Sequence, residues 1–210
     1  MGPRIIFVQG PPGSGKDAIG TLLSKRIPNS KIVKFAEVLK NRTHALYGLY
    51  DKYGFLPHYA FDATKDQPSP DFLGLTPRQA YIAVSETYFK PQHGKDVFGV
   101  FLAAQLKTDG TVYIVTDSGF PAEAKPIIEK FGDDQCVVLQ MFRRGKTFAG
   151  DSRGYWVLGS ANTFSIVNDG SLEDLAVIAD SNVKFLFPPT TESPSHEPSS
   201  CFAPRPGSDR

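Results

Sequence analysis

Short apolar runs alternate with stretches of helical period along most of the chain. Ile5-Ile6-Phe7-Val8 is continuously apolar, the pattern of a parallel strand buried on both faces. Ile19, Leu22, Leu23 and Ile27 then recur at helical spacing, and Pro28 ends the pattern. Lys31 to Phe35 predicts a second strand, and Ala36 to Leu49 an amphipathic helix. From Tyr50 to Leu75 the periodicity breaks around Pro57, Pro68 and Pro70. A long excursion of that kind is suited to a binding loop or lid. Thr76-Pro77 opens a helix with an N-cap threonine and a proline at the first helical position, and Pro91 is expected to stop it. A polar turn, Gln92 to Asp96, precedes a helix over Val97 to Leu106. Thr111 to Asp117 and Cys136 to Phe142 predict two more buried strands, separated by a helix over Ala122 to Phe131. Phe164 to Val167 adds a short strand. Ser171, with Asp174 three residues on, resembles a capping box opening the last helix. Val183 to Phe187 predicts a further edge strand.

This alternation predicts an α/β fold of three layers around a mostly parallel sheet of about five strands. Residues 1–187 form one domain in this reading. Residues 188–210, rich in Pro and Ser, form a disordered tail.

The chemistry is concentrated in Gly10-Pro11-Pro12-Gly13-Ser14-Gly15-Lys16-Asp17, between the first strand and the first helix. The glycines permit backbone angles that let a chain wrap around an anion with its N–H groups inward. The helix behind them offers its N-terminal N–H groups and the positive end of its dipole. Lys16 adds a charge for the β- and γ-phosphates of a nucleotide. The spacing G-x-x-x-x-G-K is complete. Asp17, however, stands where a magnesium-binding Ser or Thr is usual, and could meet the ion directly or through water.

Three further features point the same way. Arg78 lies in the first turn of its helix, the electrostatically wrong end for a cation, so an anion partner explains it better than helix stability does. Asp117 ends its strand at the carboxyl edge, where open α/β sheets bind ligands; capping of the helix near Pro121 is the other reading. Arg143, Arg144, Lys146 and Arg153 mix with glycines after the Cys136–Phe142 strand, as a mobile basic lid would. His93 reads as a turn or surface residue.

Composition narrows the partners. A formal net charge of +1 over 210 residues shows no strong pull toward nucleic acid or membrane. Two cysteines, Cys136 and Cys201, in unlike settings argue against a disulfide framework or zinc site. The first strand and phosphate loop occupy the N-terminus, and no apolar stretch approaches the roughly 20 residues that span a bilayer. A cytoplasmic protein is the expectation.

The ordered set of motifs resembles the bacteriophage deoxynucleoside monophosphate kinases, within the phosphate-loop nucleoside monophosphate kinases. The carriers are Gly13-Ser14-Gly15-Lys16-Asp17, Leu75-Thr76-Pro77-Arg78-Gln79-Ala80 with Gly94-Lys95-Asp96, Asp117-Ser118-Gly119-Phe120-Pro121-Ala122-Glu123-Ala124, and Val167-Asn168-Asp169-Gly170-Ser171-Leu172-Glu173-Asp174-Leu175. The resemblance implies phosphoryl transfer from ATP, with Mg2+, to a deoxynucleoside monophosphate, in phage nucleotide metabolism and hence in a host cytoplasm. Donor phosphates would lie on Gly10, Gly13, Ser14, Gly15, Lys16 and Asp17. Lys16, Arg143, Arg144 and Arg153 would serve catalysis. Arg42, Arg78, Phe35, Lys95, Asp117 and Phe120 would serve the acceptor, and Asp17 and Asp117 the metal. The family often has an arginine two residues after the strand-end acid, where this chain has Gly119, so another cation must take its place, with Arg78 and Arg42 the leading candidates. Small nucleotides are the implied partners, and a homodimer is left open. Two other readings stand beside this one. Related phage kinases phosphorylate a hydroxymethylated base such as 5-hydroxymethyluracil within DNA. A regulatory protein could instead bind ATP without transferring phosphate.

Overall fold

The computed structural model describes residues 2–159 and 162–188. The expected tail therefore lies outside the described residues, apart from Pro188. Five strands form one sheet: β1 (Ile5–Gln9), β2 (Ser30–Val33), β3 (Val112–Val115), β4 (Cys136–Phe142) and β5 (Thr163–Val167). Their order is β2-β3-β1-β4-β5, and every pairing is parallel. β1 is central, with Ile5 in register with Tyr113 on one side and Cys136 on the other. All five β1 residues are buried, as the unbroken apolar run requires.

Two helical layers cover the sheet. On one face, α1 (Lys16–Arg26) and α8 (Leu172–Leu186) pack Ile19, Leu23, Leu175 and Ala179 against Ile6, Val8, Ile114, Leu139 and Met141. On the other, α2 (Phe35–Leu46), α6 (Val97–Gln105) and α7 (Pro121–Phe131) pack Phe35, Val38, Phe98, Leu102 and Ile127 against Ile5, Phe7, Tyr113, Val115 and Val138. Alternate β1 residues thus feed opposite cores. Parallel crossovers place the carboxyl ends of all strands along one edge, and the glycine-rich loop leaves β1 at its centre.

The excursion has a core of its own. After α2 come α3 (Leu49–Tyr53), a 3₁₀ turn over Pro70–Phe72, and α4 (Pro77–Ala83). Leu49, Phe72, Ala80 and Tyr81 are buried together, with Tyr47, Leu56 and Phe61 against them. The His44 imidazole sits fully buried beside this cluster, its Nε2 3.0 Å from the Tyr81 hydroxyl. Residues 54–69 are irregular, as the broken periodicity predicts. Thr76 and Gln79 form a complete capping box at the start of α4.

Four expectations need correction. Pro91 does not end its helix: Val84–Phe89 is π-helical, the Lys90 N–H reaches back to the Ser85 carbonyl, and α5 (Lys90–His93) carries the proline in its first turn. A wider turn relieves the clash that proline makes with α-helical pitch. Val183 to Phe187 forms no strand. It is the end of α8, whose Leu186 is buried and whose Arg26–Asp180 ion pair to α1 spans 2.6 Å. Strand β2 ends at Val33, and Phe35 already begins α2. Helix α2 stops at Leu46 rather than Leu49.

Candidate functional site

The loop after β1 has the shape its glycines allow. Gly13 and Gly15 have φ of 75° and 99°. Gly15 starts α1 from the left-handed region, and a Cβ there would lie 2.3 Å from Asn168 Nδ2. The side chain of Asn168, itself buried, donates to the Ser14 carbonyl at 2.8 Å and so props the loop from beneath. The first N–H groups of α1 have no intrahelical partner and face the loop's mouth. Ser14 Oγ is buried without a hydrogen-bond partner among the described residues.

Lys16 Nζ donates to the carbonyls of Gly10 and Pro11, at 2.7 and 2.9 Å. Desolvation, then the charge of Arg153, draws its ammonium below the usual lysine range. Asp17 meets Lys34 at 2.7 Å and accepts from the Thr116 hydroxyl at 3.1 Å. Partial desolvation pushes the Asp17 carboxyl up, but Lys34 and Thr116 outweigh it and hold it below the ordinary range. Asp117 accepts the backbone N–H groups of Phe35 and Ala36, at 3.1 and 2.8 Å, on separate oxygens. It therefore caps α2, and not the helix at Pro121. Burial pushes its carboxyl upward, while those two N–H groups and Lys34 pull it down.

The basic segment after β4 divides. Arg143 and Arg144 are exposed. Arg153 is turned inward: its stem lies 2.6–2.7 Å from where a Cβ on Gly119 would be, and the Gly154 N–H donates to the Gly119 carbonyl at 3.2 Å. Its Nε donates to Asp151 at 2.9 Å. Asp151 holds the guanidinium above the usual arginine range, with Asp117 and Glu123 adding to the effect. Lys146 lies over the loop, with its Cε 3.2 Å from a Cβ built on Gly13. The segment is anchored at its return. Tyr155 Oη donates to the Met141 carbonyl at 2.6 Å, and the Trp156 backbone exchanges hydrogen bonds with the Gln9 side chain at 3.0 and 3.1 Å.

The expected acceptor residues are scattered more widely. Arg78 is exposed and paired with Asp66 at 2.6 Å, close enough to Arg153 for their charges to oppose one another. Arg42 lies over the Phe101 ring at 4.6 Å, beside a cavity of about 220 Å³ lined by Val38, Asn41, Tyr50 and Gln105. Lys95 is exposed. Phe120 carries Lys90 over its ring at 5.1 Å. The Phe35 ring is 3% exposed and belongs to the main core. Among the expected residues, Ser14, Lys16, Asp17, Asp117 and Arg153 come together at the sheet edge; Arg42, Arg143, Arg144 and Lys95 stand apart.

Lys34, Asp151, Glu123 and Asn168 join the site without having been marked by sequence reasoning as site residues. Lys34 carried no such signal, because the sequence placed it inside the strand that the structure ends at Val33. Glu123 is 6% exposed. Desolvation first, then the charge of Asp117, pushes its carboxyl up to about 7. It forms no side-chain hydrogen bond among the described residues. Because this value lies above the ordinary one of 4.5, the fold favours neutral Glu123. The stability it lends is complete below the ordinary value and lost as pH rises through about 7. Thermal midpoints measured from about pH 5 to about pH 8 should fall for the wild type, and Glu123→Gln should flatten that fall. A tenfold change in a protonation equilibrium is worth ~1.4 kcal/mol, so the variant should gain about 1–3 kcal/mol over the wild type at the upper end. An unaltered slope in the variant would refute the assignment.

No family model matches the chain, and no curated protein matches it. Among solved structures, it is similar to a "putative kinase" from Chloroflexus aurantiacus J-10-fl, at 10% identity and a TM-score of 0.39, over 88% of this chain and 97% of that one. The all-parallel sheet and the loop geometry, rather than this distant likeness, establish the α/β fold. No helix among the described residues is long and apolar enough to cross a membrane.

Proposed function

We propose that the chain transfers the γ-phosphoryl group of ATP to a deoxynucleoside monophosphate, giving the diphosphate. The observation that carries this reading is the convergence of two cations from distant segments, Lys16 and Arg153, beside a glycine loop at a helix N-terminus. Lys16 and the loop amides would hold the donor phosphates. Arg153, whose charge reaches both Lys16 and Arg78, would neutralise charge on the transferring group. An oxygen of the acceptor phosphate forms the new bond to the γ-phosphorus as the bond to the bridging oxygen breaks, and ADP leaves with that electron pair. Phosphate oxygen is already nucleophilic, so positioning and charge suffice. Resemblance to phage deoxynucleoside monophosphate kinases supports the choice of acceptor and a place in phage nucleotide metabolism.

The donor set around the loop fits Mg2+. Asp17 presents a solvent-open carboxylate beside the Thr116 hydroxyl, suited to direct or water-mediated contact. Both Asp117 oxygens already accept N–H groups, so that residue fits only through water. When bound with ATP, the ion would supply neutralising charge at the phosphates.

Glu123 favours a second reading. A hydroxyl acceptor, such as a hydroxymethyl base in DNA, needs a group to take its proton, and a buried carboxyl near neutrality suits that task. The proton would pass to the Glu123 carboxylate as the hydroxyl oxygen bonds the γ-phosphorus and ADP departs.

One preparation tests both readings. ADP release is followed with each deoxynucleoside monophosphate, with ribonucleotides and with hydroxymethyluracil-containing DNA, across a salt series. A free monophosphate should give a shallow salt dependence, and Arg78→Ala should raise its KM while sparing ATP binding. Activity only on polymeric DNA, falling steeply with salt through counterion release, would replace the leading reading with the second. ATP binding without transfer to any acceptor would leave a regulatory protein.

A further inference from the structure

The turn after β5 touches both halves of the donor site. Asn168 Nδ2 holds the Ser14 carbonyl of the phosphate loop at 2.8 Å. The Asn168 backbone N–H holds the carbonyl of Phe142, the residue just before the basic segment, at 2.8 Å. Asp169 Oδ1 accepts the Arg144 N–H at 2.6 Å, inside that segment. From the opposite side, Lys146 folds back onto Gly13. Two consecutive residues thus join the loop that would seat the phosphates to the stem of the segment that would cover them. Two glycines lie between its clamped ends: Gly145 and Gly150 have φ of 72° and 76°, and among the described residues nothing lies within 4 Å of either Cβ position.

We infer that Asn168 and Asp169 are positioning residues that couple occupancy of the phosphate loop to closure of the 143–153 segment. A phosphate seated on the Ser14–Lys16 amides fixes the Ser14 peptide. That peptide fixes the Asn168 side chain, and the neighbouring Asp169 carboxylate sets the direction in which the chain leaves Phe142. Arg153 and Lys146, already turned toward the loop, are then held over the phosphates together. The inference deepens the proposed transfer reaction and rests on it for the kinetic half of its test alone.

The test uses the full chain, with ATP or a non-hydrolysable ATP analogue as probe. Amide hydrogen exchange of residues 143–151 is measured with and without nucleotide, beside nucleotide affinity and kcat. The wild type should gain protection in this segment on binding. Asp169 is exposed, so Asp169→Ala should leave the melting temperature nearly unchanged. It should hold ATP within about threefold of wild type, lose the nucleotide-induced protection, and lower kcat about tenfold, as expected when a positioning contact is lost. Asp169→Asn, which keeps a carbonyl acceptor for the Arg144 N–H, should restore both. Asn168→Ala, if folded by the same melting criterion, should weaken ATP binding as well as protection. Wild-type protection and kcat in Asp169→Ala would overturn the coupling and leave the transfer reading standing. Protection that behaves as expected without turnover on any acceptor would overturn the transfer reading alone. Failure of the wild type to bind ATP would overturn both.

Discussion

Lys16→Ala should keep a folded chain and lose phosphoryl transfer by about 100-fold or more, the scale expected when a positioned charge is removed from a phosphate or oxyanion site. The side chain is the one positive charge built into the loop, and its two hydrogen bonds run to the carbonyls of Gly10 and Pro11. Both hydrogen bonds are only part-buried, so water can replace the lysine and the fold should lose little when it goes. Steady-state ADP release beside a thermal melt checks this. A folded variant with near wild-type turnover would remove the kinase reading altogether.

The second large effect concerns stability. Phe72 is fully buried, with ring centroids 5.0 Å from Phe61, 5.1 Å from Tyr47 and 5.8 Å from Tyr81. Phe72→Ala should cost about 3–5 kcal/mol, the usual range for emptying a buried aromatic site. The cluster it anchors holds residues 47–82 onto α2, and it has no buried residue in common with the two cores on the sheet, meeting one of them through Leu39 and Tyr47. Loss of structure should therefore begin in the excursion. Chemical denaturation followed by both tryptophan fluorescence and exchange in residues 47–82 distinguishes this from global destabilisation. Trp156 packs on Phe7 in the main core and reports that core separately. A single coincident transition would show that the excursion and the sheet unfold as one unit.

Much of the fold was legible because its signals are local. The β1 run, the Thr76–Pro77 helix start and the Ser171–Asp174 box each lie within a few residues, and the structure contains all three. Pro91 misled because proline opposes α-helical pitch, whereas the chain widens to π-helix ahead of it. Val183 to Phe187 misled because a short apolar run suits either a strand or a helix end. Of the candidate site, the backbone shape of the glycine loop could be read directly. Its partners could not, because the sheet order decides which distant residues meet. Lys34 reaches Asp17 because β2 lies beside β3, and Asn168 reaches Ser14 from the turn after the edge strand β5. Arg153 and Gly119 are far apart in the chain, and only the folded structure shows the arginine stem lying in the space that a side chain at 119 would occupy.

The π-helical stretch at Val84–Phe89 amounts to one residue more than an α-helix of the same rise would hold. It therefore works as a phase setting for everything downstream. Deleting a single residue there would restore α-helical pitch and turn the following segment by about 100° about its axis. Lys90 would then leave the Phe120 ring and the neighbourhood of Glu123, with no change in the composition of the helix face around it. Chain length in this one stretch, as much as the identity of any side chain, determines which cation lies over Phe120 and beside Glu123.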